Sequence, residues 1–168
     1  MLWSVHALAH SLFADKTNSE SITDTAMGTD CSVRVFGSDG TAKDIMDMLS
    51  DIENKYLSWR IEGSDIANIN ENASESEPVM PSKWTYSYLE NVLDLARKSS
   101  GAFDPTLGRV SQLWNLESDN PYIPSKSELT ELLLETGWEK INLGDGESVL
   151  KDGVQIDLGA VRKIQSKN

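Results

Sequence analysis

The chain has 168 residues, 39% of them hydrophobic, and carries 15 Lys and Arg against 27 Asp and Glu for a net charge of −12. Leu, Ile, Val and Phe number 40, which is enough for a packed core and excludes intrinsic disorder over most of the length. The acidic balance, with no Lys/Arg-rich run, argues against a nucleic-acid partner, and the single Cys31 excludes an internal disulfide framework or a multi-Cys zinc site.

Residues 1–26 read as a disordered leader and linker. The first fourteen are mildly apolar but lack a basic start and fall short of the roughly 18 to 20 apolar residues that span a bilayer. His6 and His10 share a helical spacing of four with no further metal ligand nearby, and residues 15–26 are polar and aperiodic. Order is expected from Met27. Residues 32–36 alternate as a strand that ends at Gly37-Ser38-Asp39-Gly40. Thr41 then caps a helix with Ile45, Met48, Leu49, Ile52 and Tyr56 on one face.

Ser64 caps a shorter helical turn carrying Ile66 and Ile69, and residues 70–77 read as a polar loop. A second long helix over residues 81–99 lines up Leu89, Val92, Leu93 and Ala96, and Ser99-Ser100-Gly101 ends it. Ser125, three residues before Glu128, has the spacing of a capping box and opens a third helix with Leu129, Leu132 and Leu133. Short strands follow at residues 138–143, 148–151 and 154–158, separated by Gly-Asp and Asp-Gly turns. The order predicts an α+β fold with an antiparallel sheet and three main helices. A three-strand meander that ends on a fresh edge reads as an unfinished sheet.

Three segments could carry chemistry. Gly101-Ala102-Phe103-Asp104-Pro105-Thr106-Leu107-Gly108 places an Asp ahead of a Pro just past a helix end. Read structurally, Asp104 is an N-cap with Pro105 at the first helical position; read functionally, the turn admits a flat ligand and Asp104 accepts its hydrogen bonds. Asp157 leaves an apolar strand ahead of Gly159-Ala160, small residues that permit close approach of a diphosphate or its metal. Trp59 follows a helix end and either stacks on a ligand ring or fills an interface in the core.

In this order the segments resemble the ApbE flavin transferases, the FAD:protein FMN transferases. Met27-Gly28-Thr29 opens the match, and Leu57-Ser58 with Arg60, Ser64, Ile66 and Asn70 looks like the family's L-S-x-x-R-x-x-S-x-I-x-x-x-N stretch. Residues 101–106 with Gly108 and Leu113-Trp114 are similar to its G-A-F-D-P-T-x-G signature, and Asp157-Leu158-Gly159-Ala160-Val161 closes the match. The resemblance implies a partial ApbE-like, T-fold-like domain over residues 27–168. It also implies Mg²⁺-dependent transfer of FMN from FAD to a Thr or Ser hydroxyl of a target flavoprotein, such as a redox-driven ion pump subunit, with release of AMP. A non-catalytic flavin-binding or docking fragment and a Mg²⁺-dependent FAD pyrophosphatase are the alternatives. Carried over by position, Met27, Trp59, Ala102, Phe103, Asp104, Asp157 and Lys163 would contact FAD, and the Ala160 carbonyl would ligate Mg²⁺. No residue of the chain is assigned as the catalytic group.

The family also implies a cell-envelope location on the extracytoplasmic side, with membrane anchoring through a segment before Met1. After Val161 the chain departs from the family's D-L-G-x-x-A-K-G-Y pattern: Arg162 replaces a small residue and Ile164-Gln165 replaces Gly-Tyr. If Ile164 is encoded ATA and Ser166 AGC or AGT, reading one base later restores Tyr and a similar run. The expectation is therefore a truncated, frameshifted N-terminal portion that holds Mg²⁺ weakly and does not transfer flavin alone.

Overall fold

A computed structural model describes residues 19–37, 40–116, 118–145, 147–150 and 153–160. Two compact units divide the chain, Met1–Leu49 and Ser50–Asn168. In the first, β1 (Ser19–Ala26) and β2 (Thr29–Phe36) form an antiparallel hairpin with Ser19 opposite Phe36 and Ala26 opposite Thr29. Met27 and Gly28 make its two-residue loop at φ 56° and 66°, the left-handed pair that matches strand twist in tight hairpins.

The strand Ser19–Ala26 corrects the expectation of a disordered linker there. Only Ile22 and Ala26 are aliphatic, so composition carries no strand signal. The segment is held by its backbone ladder to β2 and by a Thr23–Ser32 hydroxyl pair at 2.8 Å. Residues 1–18 lie outside the described residues. Helix α1 (Thr41–Ile52) follows, with Ala42 and Met46 buried and the Ala42 N–H donating to Glu20 at 3.3 Å.

The second unit takes in the last turn of α1 from Ser50 and continues into a widened π-helical turn, Glu53–Leu57, that sets Leu57 into the core. Helix α2 (Asp65–Asn72) is capped by Ser64, whose hydroxyl accepts from the Ala67 N–H at 3.1 Å and donates to the Ser58 carbonyl at 2.5 Å. This helix takes in residues 70–72, expected as loop. Helix α3 (Lys83–Lys98) starts at the cap Ser82 and buries Leu89, Val92, Leu93 and Ala96, one face at helical spacing. It closes at Ser100 and Gly101, with φ 53° and 79°, where the Gly101 N–H reaches the Ala96 carbonyl at 3.0 Å.

Helix α4 (Gly108–Trp114) begins three residues later than a start at Pro105 capped by Asp104 would place it. It has two turns, no side-chain cap at Leu107, and buries only Gly108, so no periodic apolar face announces its extent. Helix α5 (Lys126–Glu135) carries the expected capping box from Ser125 and Glu128 but has no buried residue, and Leu134 is 76% exposed. Hydrogen bonds from Ser125, then from Tyr122, hold the Glu128 carboxyl below its ordinary value of 4.5. A carboxyl lowered by folding stabilises the fold above the unfolded value, and that contribution is lost as pH falls through the folded value. Fraying of the α5 N-terminus is therefore expected below about pH 4.5, with Glu128→Gln removing most of the pH dependence; carbonyl and amide NMR shifts of residues 125–129 across the titration check it.

A 3-10 turn, Trp138–Lys140, replaces the first half of the expected strand at 138–143. The remainder forms β3 (Ile141–Gly144), antiparallel to β4 (Glu147–Leu150) with Ile141 opposite Leu150. Residues 154–158 were expected to continue this meander, but their only described strand pairing is one parallel bridge between Leu107 and Gln155. Val154, Ile156 and Leu158 are buried at period two as the pattern required. Their backbone takes its partners from side chains and from the 105–108 turn instead of from β4. These three residues join Leu57, Ile66, Ile69, Tyr88, Leu89, Val92, Leu93 and Ile141 in one hydrophobic core.

Candidate functional site

The turn after α3 is organised by Asp104. Its Oδ1 accepts from the Thr106 N–H at 2.8 Å and from the Thr106 hydroxyl at 2.6 Å. The aspartate thus closes a local Asx turn and is not the helix cap, because α4 begins four residues later, at Gly108, with Leu107 as its N-cap. Thr106 is buried, and its hydroxyl also accepts from the Gly137 N–H at 2.7 Å. That contact anchors the turn to the segment entering β3. Asp104 itself stays half-buried, with Oδ2 taking no hydrogen bond among the described residues. Phe103 packs against the hydrophobic core, and its N–H donates to the Ser99 hydroxyl at 3.1 Å.

The second wall is the segment 155–160. The Asp157 N–H donates to the Pro105 carbonyl at 2.8 Å, and the Gly108 N–H reaches the Gln155 carbonyl at 3.3 Å. Gly108 is needed for this approach: a Cβ there would stand 2.9 Å from the Gln155 carbonyl oxygen. Beyond the strand the Asp157 carboxylate accepts from the Gly159 N–H at 2.8 Å, which turns the chain and brings Ala160 to the surface.

Between these walls lies an open cleft of about 280 Å³ lined by Ala102, Phe103, Asp104, Leu107, Ser111, Asp157 and Ala160. The lining combines an aromatic ring and small residues with two carboxylates, a setting suited to a flat ligand whose polar groups are fixed by a few oxygens. Four residues assigned to FAD by resemblance, Ala102, Phe103, Asp104 and Asp157, and the assigned Mg²⁺ ligand Ala160 therefore line one cleft. They are joined there although more than fifty positions separate the two segments. Leu107 and Ser111 were not singled out from sequence. Ser111 belongs to helix α4, and only its place three residues past Gly108, on the helix that opens from the turn, could have drawn attention to it.

Trp59 packs against the core of the second unit, with the Arg60 guanidinium 4.1 Å from its ring centre, and is not among the residues lining the cleft. Met27 sits in the hairpin loop of the first unit, and Lys163 lies outside the described residues. Among the described residues no three His, Cys, Asp or Glu side chains form a metal cluster. The donors at the cleft are all oxygens, the type Mg²⁺ prefers, but Asp104 and Asp157 with one carbonyl make at most a partial coordination set. No helix among the described residues is long and apolar enough to cross a membrane.

An α+β unit thus brings an Asx-turn loop and the segment 155–160 together at an aromatic, acidic cleft, and comparison with known proteins gives the lineage. The ApbE family model matches residues 27–164, and the chain belongs to the ApbE family. It is 33% identical over 151 residues to the FAD:protein FMN transferase of Treponema pallidum, covering 82% of this chain and 41% of that protein. The corresponding protein of Chlamydia muridarum is 32% identical over 124 residues, covering 71% and 39%. Among solved structures, the ApbE protein of Thermotoga maritima superposes with a TM-score of 0.78 at 31% identity, covering 89% of this chain and 50% of that one. The flavin transferase ApbE of Vibrio cholerae shares the fold with a TM-score of 0.76 at 20% identity. The chain spans half or less of the length of the Treponema, Chlamydia and Thermotoga proteins.

Proposed function

We propose that this chain provides the FAD-holding part of an FAD:protein FMN transferase. The observation that carries the reading is the meeting of Ala102, Phe103 and Asp104 with Asp157 and Ala160 at one cleft. Family membership and relatives named FAD:protein FMN transferase support transfer of FMN from FAD to a protein; the Thr or Ser hydroxyl as acceptor and AMP as the leaving group rest on the family resemblance alone.

In this reading the Phe103 ring and the small Ala102 receive a flat ring system, and the free Oδ2 of Asp104 accepts a hydrogen bond from it. Asp157, held by its own turn to Gly159, presents a second acceptor at the opposite wall. Two carboxylates at one cleft oppose a diphosphate unless a cation stands between them. The Ala160 carbonyl, with a cleft carboxylate, would contribute to holding Mg²⁺, which when bound polarises the diphosphate and stabilises charge on the departing AMP. The work of this chain's residues is to bind and orient FAD so that an acceptor hydroxyl approaches in line. A cell-envelope location and a redox-pump acceptor belong to the same proposal and rest on the family resemblance alone.

The test is a chimera in which residues 27–164 replace the matching part of the Treponema pallidum relative, incubated with FAD, Mg²⁺ and an acceptor segment. Covalent flavin on the acceptor with stoichiometric AMP is expected. FMN and AMP released without acceptor would assign hydrolysis instead, and a folded chimera that forms neither product would overturn the enzyme reading.

A further inference from the structure

Among the described residues the segment that presents Asp157 makes one isolated parallel bridge and no strand ladder, and the bonds that hold its register come from an unexpected place. The side chain of Asn70, half-buried on α2, pairs with both backbone groups of Ile156. Its Nδ2 donates to the Ile156 carbonyl at 2.9 Å, and its Oδ1 accepts from the Ile156 N–H at 2.8 Å. A carboxamide is a peptide group in miniature, so Asn70 acts as a one-residue strand on this edge. The other edge is taken by the Pro105 carbonyl and the Gly108 N–H. With Asn70 in place Ile156 is 0% exposed, so the carboxamide is what pairs its backbone N–H and carbonyl.

We propose that Asn70 is a positioning residue for the cofactor site: it fixes the register of residues 155–157 and thereby the place where Asp157 presents its carboxylate to the cleft. The inference rests on the proposed FAD site. Asn is a middling helix former that competes with the helix backbone for hydrogen bonds. Its presence on α2 is explained by this long-range pair and not by helix stability. Asp at this position would keep the acceptor for the Ile156 N–H but set a carboxylate oxygen against the Ile156 carbonyl. Ala would leave both buried backbone groups unpaired.

The experiment measures affinity for FAD with Mg²⁺ on the full chain, together with ¹⁵N amide spectra, for the unmodified protein, Asn70→Ala, Asn70→Asp and Asn72→Asp. Asn72 is exposed on the same helix and bonds only Asn68 among the described residues, so Asn72→Asp controls for added charge. Folded Asn70→Ala and Asn70→Asp are expected to bind FAD about tenfold more weakly. The Ile156 and Asp157 amide resonances should move in both, while Asn72→Asp stays at the unmodified affinity. Unmodified affinity in either folded Asn70 variant would overturn the proposal and return Asn70 to a purely structural role.

Where neither variant folds, Asn70→Gln carries the test, because it keeps donor and acceptor but lengthens the arm by one methylene. Displaced Ile156 and Asp157 resonances with several-fold weaker FAD binding are expected, and displaced resonances with unmodified affinity would refute the positioning role. No FAD binding by the unmodified chain would overturn the proposed function itself, whereas binding that survives every Asn70 change overturns this inference alone.

Discussion

Asp104→Ala is expected to weaken FAD binding by roughly ten- to a hundredfold, the loss that follows removal of a hydrogen bond to a charged group. Two effects add in that variant. The ligand loses its acceptor, and the Thr106 N–H and hydroxyl lose the Oδ1 that closes the turn. Asp104→Asn separates them, since an amide oxygen still accepts from Thr106 while the charge is gone. It should keep the fold and still lose most of the affinity. Asp119→Ala, at an exposed position away from the cleft lining, should change nothing. Calorimetric titration of the three variants decides it: equal affinities with a folded Asp104→Asn would leave Asp104 as a turn former only.

Ile156→Ala should be the most damaging single truncation in the second unit. The side chain is fully buried in the main core, and emptying such a site costs about 2–5 kcal/mol. Against a typical domain stability of about 5–15 kcal/mol this is a large fraction. The backbone of the same residue is gripped by Asn70, and its neighbours Gln155 and Asp157 bond the 105–108 turn, so collapse of the core here also loosens the cleft. Urea melts of the variant should show the lower midpoint, with FAD affinity falling in the fraction that remains folded. A loss below about 1 kcal/mol would mean that the site relaxes freely and that Ile156 does not anchor the cleft wall.

What the sequence disclosed follows from which forces are local. The caps at Ser64 and Ser125 and the apolar face of α3 are written within a few residues of each other, and the helices they announce are present. Helix α4 has no periodic apolar face, and the cap read at Asp104 places its start three residues too early. The strand Ser19–Ala26 depends on pairing with β2 and not on its own composition, so a polar segment hid it. Residues 154–158 show the reverse case. Their alternation correctly marked Val154, Ile156 and Leu158 for the core, but alternation is silent about what pairs with the backbone. The partner turned out to be the amide of Asn70 and the turn at Pro105 and Gly108.

The candidate site divides in the same way. No periodicity or spacing joins residues 102–104 to 157–160; family resemblance nominated both, and the fold brings them to one cleft. The capping role expected for Asp104 gave way to an Asx turn because Pro105 and Thr106 are spent in the turn before the helix begins. Trp59 is not among the residues lining that cleft; its ring packs on the core and against Arg60.

The central claim is that this cleft takes FAD, and amide chemical-shift mapping on the full chain tests it most directly, because it registers even weak binding. FAD with Mg²⁺ should shift resonances of residues 102–107, Ser111 and 157–160, with FMN and AMP each reproducing part of the set. Shifts confined to other surfaces, or none at millimolar FAD in a folded chain, would contradict it.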